Sequence, residues 1–348
     1  MSSVIEYIWI GGNQELRSKT RVIHESINSL NDFKWNFDGS STEQADGTSS
    51  EIILLPIASF NNPLFKEEGI NSLIFLCEAY NPDGTPAKNN NRAQAIEIFN
   101  KKLEEEPWYG MEQEYFMINP KNNLPIGFNQ DGKQGQYYCS VGAENAFGRQ
   151  IAEEHLKVCL KAGIQISGIN AEVAPGQWEF QIGPCTGIDA GDHMIVARYL
   201  LLKVAENHGI KIDFSPKPIT GDWNGSGCHT NYSTKNMRNG SENKNGLEFI
   251  EEAILRLADN HEKHMFVYGE GNEKRMTGEH ETANYSIFTH GIANRGASVR
   301  IGNETYNNKK GYFEDRRPSS NCDPYIVSSK IFETTCLQDS KEIIAVPL

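Results

Sequence analysis

The apolar and polar positions of this chain keep two different rhythms. Near the N-terminus the alternation has a period of two, in short runs. Residues 6–10 read as a strand closed by the turn signal Gly11–Gly12, and 16–23 as its returning partner. A turn-rich stretch, 38–50, precedes two more strand-like segments, 51–57 and 73–80. Residues 81–91, rich in Pro, Gly and Asn, mark a boundary. Beyond it helical spacing alternates with strands. Helices are predicted over 91–105, stopping before Pro107, over 146–162, ending at Gly163, over 193–208, followed by Gly209, and over 247–266. The pattern predicts a small mixed sheet and then a larger α/β unit.

The strands between those helices carry the chemistry. Side chains alternate across a strand. Over 108–118, Tyr109, Met111, Gln113, Tyr115 and Met117 fall on one face, and Glu112 and Glu114 on the other. Over 177–183, Trp178, Phe180 and Ile182 oppose Gln177, Glu179 and Gln181. The polar face over 227–233 is His229, Asn231 and Ser233; Arg300 opposes Val299 and Ile301; Glu314 and Arg316 share a face. A single strand of this kind is what a half-wet antiparallel sheet produces. Five of them are selective, holding carboxylates, one histidine and arginines, with almost no lysine. Gathered on one concavity, the carboxylates repel each other and need cations. Oxygen ligands with one imidazole suit magnesium or manganese. Arginine suits phosphate and carboxylate. The combination fits phosphoryl transfer.

Composition narrows the classes. With 348 residues, 38% apolar and 23% charged, the chain has the content of a folded, soluble protein of about two domains. Its net charge of −13 argues against a nucleic-acid partner. The apolar runs are strand-sized, so no membrane span is predicted. The seven cysteines form no CxxC pair and read as reduced thiols in a cytoplasmic protein. No signal or transit peptide is visible at the N-terminus. No P-loop and no GxGxxG fingerprint after a strand is present. His261-Glu262-Lys263-His264 is one residue short of HExxH and reads as the end of a surface helix. His24, His155, His193, His208 and His290 read as structural.

Six runs, in order, carry a resemblance: WNFDGSST (35–42), GMEQEY (110–115), NAEVAPGQWEFQIGP (170–184), GDWNGSGCHTNYSTK (221–235), ANRGASVRIG (293–302) and GYFEDRRPSSNCDPY (311–325). They closely resemble eukaryotic-type glutamine synthetase across almost the whole chain. The resemblance implies an α+β protein: a small N-terminal β-grasp domain (3–82) and a larger catalytic α/β domain (88–348) with a curved antiparallel sheet, of the glutamine synthetase/guanido kinase-like kind. The implied reaction joins ammonium to L-glutamate with ATP, giving glutamine, ADP and phosphate. The family implies two stacked pentameric rings with active sites between subunits, and Mg2+ or Mn2+, two or more per site.

By the same resemblance, Glu114, Glu172 and Glu179 would hold one divalent ion, and Glu112, His229 and Glu314 the other. Arg295 and Arg300 would stabilise the transferring phosphoryl group. Glutamate would sit against Arg275, Arg295 and Arg316, with Asp222, Trp223, Asn224 and Gly225 beside it. The nucleotide would lie among Trp108, Glu112, the run Glu179, Phe180, Gln181, Ile182, Gly183 and Pro184, then Asn231, Tyr232 and Ser233, Arg295 and Arg300, and Tyr312, Phe313 and Glu314. Asp38, Ser41 and Tyr138 would form the ammonium pocket, with Glu281 as a flap over it. The chemistry requires such a set. A carboxylate must be activated as an acyl phosphate, ammonium must lose a proton, and water must be kept out meanwhile. The Gly-rich stretch 268–278 suits a movable cover.

Some positions depart from the family pattern. The chain starts at its first strand, without the usual leading helix. Gly11 stands where Asp is common, Glu279 where an apolar residue is common, and the loops 268–274 and 303–310 diverge. A ligase for a larger amine would alter the ammonium pocket, yet Asp38, Tyr138 and Glu281 are present. A non-catalytic ring protein would have lost a metal carboxylate or an arginine, and none is lost.

Overall fold

The computed structural model describes residues 2–24, 26–130 and 132–338. Two sheets organise it. In the first, β1 (Ser3–Ile10) pairs antiparallel with β2 (Leu16–Ile23) and parallel with β5 (Asn71–Tyr80). β4 (Glu51–Asn61) joins β5, and the short β3 (Trp35–Asp38) closes the far edge. The order is β2-β1-β5-β4-β3. Ile5, Tyr7, Phe37, Ile52, Leu54 and Phe75 form its core. β4 keeps the period-two pattern, whereas the central β1 and β5 are buried on both faces, and the four residues of β3 were too few to announce a strand.

After α1 (Asn91–Phe99) the chain builds the second sheet: β6 (Trp108–Asn119), β7 (Leu124–Pro125), α2 (Arg149–Ala162), β8 (Ile166–Ala171), β9 (Gln177–Thr186), α3 (Asp189–Asn207), β10 (Lys211–Asp213), β11 (Cys228–Ser233), α4 (Lys235–Asn239), α5 (Gly246–Asp259), α6 (His261–Met265), β12 (His290–Ile292), β13 (Val299–Ile301), α7 (Asn303–Asn308), β14 (Phe313–Asp315) and α8 (Pro324–Phe332). The sheet order is β12-β13-β14-β11-β6-β9-β8, with β7 and β10 also on β6. It curls into a half-barrel, and every pair is antiparallel except β12–β13. The five strands singled out for their polar faces are therefore consecutive neighbours. Met111, Tyr115, Trp178, Phe180, Ile182 and Phe313 turn into the core with α3 and α8, whose Val196, Leu200, Val327 and Ile331 are buried there.

Several elements depart from the sequence reading. The helix predicted over 91–105 ends at Phe99, and 103–105 is a separate 3-10 turn. The helix over 247–266 is broken at Asn260 into α5 and α6. The helix predicted from 193 begins at Asp189, so Asp192 lies inside it, buried and 2.7 Å from Arg92 Nε. Arg92 also reaches Glu78 of β5 at 2.8 Å, and so ties the two sheets together. The reading of His261–His264 as a surface helix end is wrong. His261 and His264 are buried, and His264 bonds the Tyr268 hydroxyl at 2.6 Å and Thr334 Oγ1 at 2.8 Å. The face of β14 opposite Glu314 carries an ion pair, Arg317–Asp315, at 2.7 Å with both side chains fully buried. Such a pair persists only because Tyr268 and the backbone complete its hydrogen bonds. Among the described residues no helix is long and apolar enough to cross a membrane.

His155 is structural, as expected. It is fully buried, its Nε2 lies 2.9 Å from the Ala197 carbonyl oxygen, and burial pushes its pKa down to about 4. The unfolded chain protonates this histidine near pH 6.5, while the folded one does not until about pH 4. Its neutral state thus favours folding above pH 6.5, and that contribution is lost as pH falls towards 4. His155→Gln should flatten the fall of denaturation midpoint across that window; an unchanged slope would refute the assignment.

Candidate active site

Strand register lays the polar side chains out in rows. Arg300 of β13 stands opposite Glu314 of β14, which stands opposite Asn231 of β11. His229 is opposite Glu112 of β6, which is opposite Gln181 of β9. Glu114 is opposite Glu179, which is opposite Asn170 of β8. These rows floor a pocket of about 200 Å³ that includes Glu112, Glu114, Glu172, Glu179, His229 and Glu314. Arg275, Arg295, Arg300 and Arg316 enter it from loops and strand ends, and Tyr138, Asn224, Gly225 and Glu281 complete the wall.

Crowding and burial dominate the electrostatics. Burial raises Glu114 to about 7, against the lowering influence of the Gly227 N–H and of the Arg275 and Arg316 charges. Burial and then the Glu114 charge raise Glu172 to about 8. Burial and the charges of Glu112, Glu114 and Glu172 raise Glu179 to about 10. His229 is held well below its ordinary value by burial and then by Arg316, so it is a neutral imidazole able to ligate. Carboxylates packed this way need positive charge, and the donor set is hard oxygen plus one imidazole nitrogen. Ligand atoms of Glu112, His229 and Glu314 lie within 4.8 Å of one another, the one such group among the described residues. These residues fit a divalent cation of the magnesium or manganese kind.

The arginines are built to different tolerances. Arg275 is buried, its Nε bonds Asn272 Oδ1 at 3.0 Å and its Nη2 bonds the Arg317 carbonyl at 2.8 Å. Burial lowers its pKa to about 10, which still leaves it charged at neutral pH. Gly225 packs against it so closely that a Cβ there would lie 2.5 Å from Arg275 Cγ and 2.3 Å from the Pro216 oxygen. Arg316 lies 2.7 Å from Glu314 Oε1, and Arg300 Nε 2.6 Å from Glu314 Oε2. Arg295 is half exposed and lies 3.4 Å from Glu281 across the pocket mouth.

A second cleft of about 540 Å³ adjoins the first. Glu112 belongs to both. Its walls include Trp108, Gln181, Gly183, Pro184, Asn231, Ser233 and Tyr312. Sequence reasoning missed Arg238, whose guanidinium lies 3.9 Å over the Trp108 ring and bonds Ser233 Oγ at 3.0 Å. It also missed Gln134 and His280. No sequence signal could have placed them, because decisive partners (Trp108 for Arg238, and the mutual contact of Gln134 and His280) come from other segments. A larger cleft, about 880 Å³, lies elsewhere, between the β1–β2 turn and α3 and α8, and gathers none of the predicted ligands.

Some expected residues stand apart. Phe180 and Phe313 are fully buried on the core side. Neither Phe180 nor Phe313 lines the nucleotide cleft. Ile182 and Tyr232, by contrast, do line the nucleotide cleft, although they are only 1% and 0% exposed. Trp223 packs on Phe128, away from the carboxylates. Asp38 ends β3 and Ser41 lies in the 3-10 turn that follows it; they line neither cleft of their own chain.

A family model described as the catalytic domain of glutamine synthetase matches residues 90–336. The chain is 53% identical over 341 residues to the cytosolic glutamine synthetase isozyme 1-1 of Oryza sativa subsp. japonica, covering 96% of this chain and 94% of that protein. It is 52% identical to the cytosolic isozyme of Pinus sylvestris, covering 96% and 94%. It is also 52% identical to the chloroplastic/mitochondrial glutamine synthetase of Arabidopsis thaliana, covering 96% and 78%.

Proposed function

The chain belongs to the glutamine synthetase family, its activity is ATP-dependent glutamine synthesis, and we propose how the residues described above divide that work. The observation that carries the reading is the meeting of the two clefts at Glu112. An aromatic cleft that opens onto a carboxylate and arginine pocket suits a nucleotide whose terminal phosphate must reach a second substrate. In this reading Trp108, Arg238 and Tyr312 hold the base, with Asn231, Ser233 and the backbone of 179–184 beside the sugar and phosphates. Arg275 and Arg316, with Asn224 and Gly225 of the 222–225 loop, hold L-glutamate, while Trp223 packs on Phe128 and Asp222 faces His280. The glutamate γ-carboxylate takes the γ-phosphoryl group of ATP, releasing ADP. Ammonia then attacks the acyl carbon (Cδ) of γ-glutamyl phosphate, phosphate leaves with the bond pair, and the nitrogen gives up a proton to leave the amide. Arg295 and Arg300 face the charge of the moving phosphoryl group.

Glu112, His229 and Glu314 would hold one Mg2+ or Mn2+, and Glu114, Glu172 and Glu179 another. When bound, such ions offset phosphate charge and polarise its oxygens. Tyr138 and Glu281 contribute the ammonium side from the same chain, whereas Asp38 and Ser41 serve a neighbour's site. That division goes with a ring assembly, two stacked pentamers in our reading, built from a β-grasp domain over 3–82 and a catalytic domain over 88–348, of which 339–348 lie outside the described residues. Cytosolic relatives favour a cytoplasmic setting.

The test is coupled chemistry. With glutamate, ATP and magnesium, ammonium should produce glutamine and ADP in equal amounts. Failure to form glutamine would overturn the reading, and a native mass other than ten subunits would overturn the assembly.

Charge crowding makes a separate prediction. Excess magnesium should raise the melting temperature by binding only the folded form. Glu114→Gln should keep the fold and lose most of that gain, because a neutral amide replaces an anionic ligand. An unchanged wild-type melting temperature in magnesium would refute the metal assignment.

A further inference from the structure

The residue before the flap carboxylate is tied to two other loops. Thr277 and Asn284 bridge at the neck of the flap. Inside it His280 and Glu281 both have positive φ, 53° and 61°. Two successive non-glycine residues in the left-handed region persist only where their surroundings over-determine them. Here the surroundings are a chain of hydrogen bonds. The Asn224 N–H donates to Gln134 Oε1 at 2.8 Å. That contact orients the amide, so Gln134 Nε2 is the atom that donates, and it lies 3.0 Å from His280 Nδ1. Nδ1 must therefore accept, which places the ring proton on Nε2. His280 Nε2 lies 3.0 Å from Asp222 Oδ1. A neutral imidazole of one specified tautomer thus joins the flap to the loops bearing Gln134 and Asp222–Asn224. Asp222 is 94% exposed, so its contact is weakened by water, and the Gln134 bond is the firmer one. On the pocket side, Arg316 Nη2 donates to the Glu281 carbonyl at 3.2 Å.

We propose that His280 is a positioning residue, a latch that, through Gln134, holds Glu281 over the pocket while the acyl phosphate waits for ammonia. The inference rests on the synthetase reading above. Its consequence concerns leakage rather than speed. Without the latch, water enters and adds to the acyl carbon, phosphate leaves with the bond pair, and glutamate is regenerated. ATP is then consumed without glutamine.

The experiment measures phosphate released per glutamine formed by the full chain, with saturating glutamate, ATP, magnesium and ammonium. The wild type should give a ratio near one. His280→Ala should raise the ratio several-fold while total phosphate release changes much less. His280→Asn tolerates a left-handed backbone and keeps a polar atom near the Nδ1 position; it should restore much of the coupling. Gln134→Leu should uncouple like His280→Ala, and it decides the matter if the alanine variant does not fold. A ratio near one in His280→Ala or Gln134→Leu overturns the latch, as does equal leakage in His280→Ala and His280→Asn. A wild type that makes no glutamine is a different failure, that of the synthetase reading itself.

Discussion

Arg295→Lys lowers kcat by about 10²-fold or more and leaves the KM for ATP nearly unchanged. Arg295 is half exposed and paired across the pocket mouth with Glu281 at 3.4 Å. Glu281 is the largest influence on its pKa, which is raised, so the guanidinium is charged under all working conditions. Unlike Arg275, it is not anchored by buried carbonyls; its partners are the Glu281 carboxylate and the Tyr138 hydroxyl at the pocket mouth. A guanidinium spans two phosphoryl oxygens, whereas an ammonium is a point charge. Loss of one well-placed donor of this kind costs about 10²–10³ in turnover. The loss falls on kcat because the charge moves to those oxygens during transfer rather than in the ground state. Steady-state kinetics at several ATP concentrations checks this. A variant with wild-type kcat and only a raised KM would show that Arg295 binds nucleotide and does nothing more.

How much of this site was legible in the sequence depends on how local its cause is. The period-two alternation in β6, β9, β11, β13 and β14 placed Glu112, Glu114, Glu179, His229, Arg300 and Glu314 on the faces that the sheet turns to one pocket. The same alternation put Phe180 opposite Glu179, and the structure buries it there. The wider nucleotide set took Phe180 and Phe313 along with their motifs, and the strand geometry removes their side chains from the cleft. What stayed illegible is tertiary. Arg238 follows β11 with nothing in its neighbours to suggest that it lies over Trp108. His280 matters because of Gln134 and Asp222, far away in sequence. His261 and His264 looked like the end of an exposed helix because their acceptors lie on segments the helix pattern cannot see. The helix α8 was hidden inside a motif read for its arginines, although Asp323 caps it by accepting from Tyr325 N at 2.8 Å.

Asp38→Asn separates the two half-reactions and should slow glutamine formation by about 10²–10⁴-fold, the range for losing a general base. Within one chain Asp38 does what a turn aspartate does. Its Oδ1 accepts from Ser40 N at 3.0 Å and from Ser40 Oγ at 2.6 Å, and it caps the 3-10 turn of 39–42. These donors hold its carboxyl below the usual range, so it is an anion at neutral pH, exposed on the first sheet and able to hold a cation. Asparagine also caps turns, so the substitution removes the charge and spares the loop. ATP and glutamate binding should therefore persist. Hydroxylamine has a lone pair at neutral pH and needs no deprotonation before it attacks. With it in place of ammonia the variant should recover much of its rate. Asp38 lines neither cleft of its own chain; in the proposed ring its target would be a neighbour's pocket, and this can be tested by mixing. Arg316→Ala subunits lack the glutamate clamp but keep Asp38; Asp38→Asn subunits have the reverse defect. Mixed rings contain some sites with both groups intact, so mixing two nearly inactive proteins should restore activity. Equal losses with ammonia and hydroxylamine would remove Asp38 from proton transfer. No recovery in rings shown by mass to be mixed would mean that each subunit works with its own residues alone.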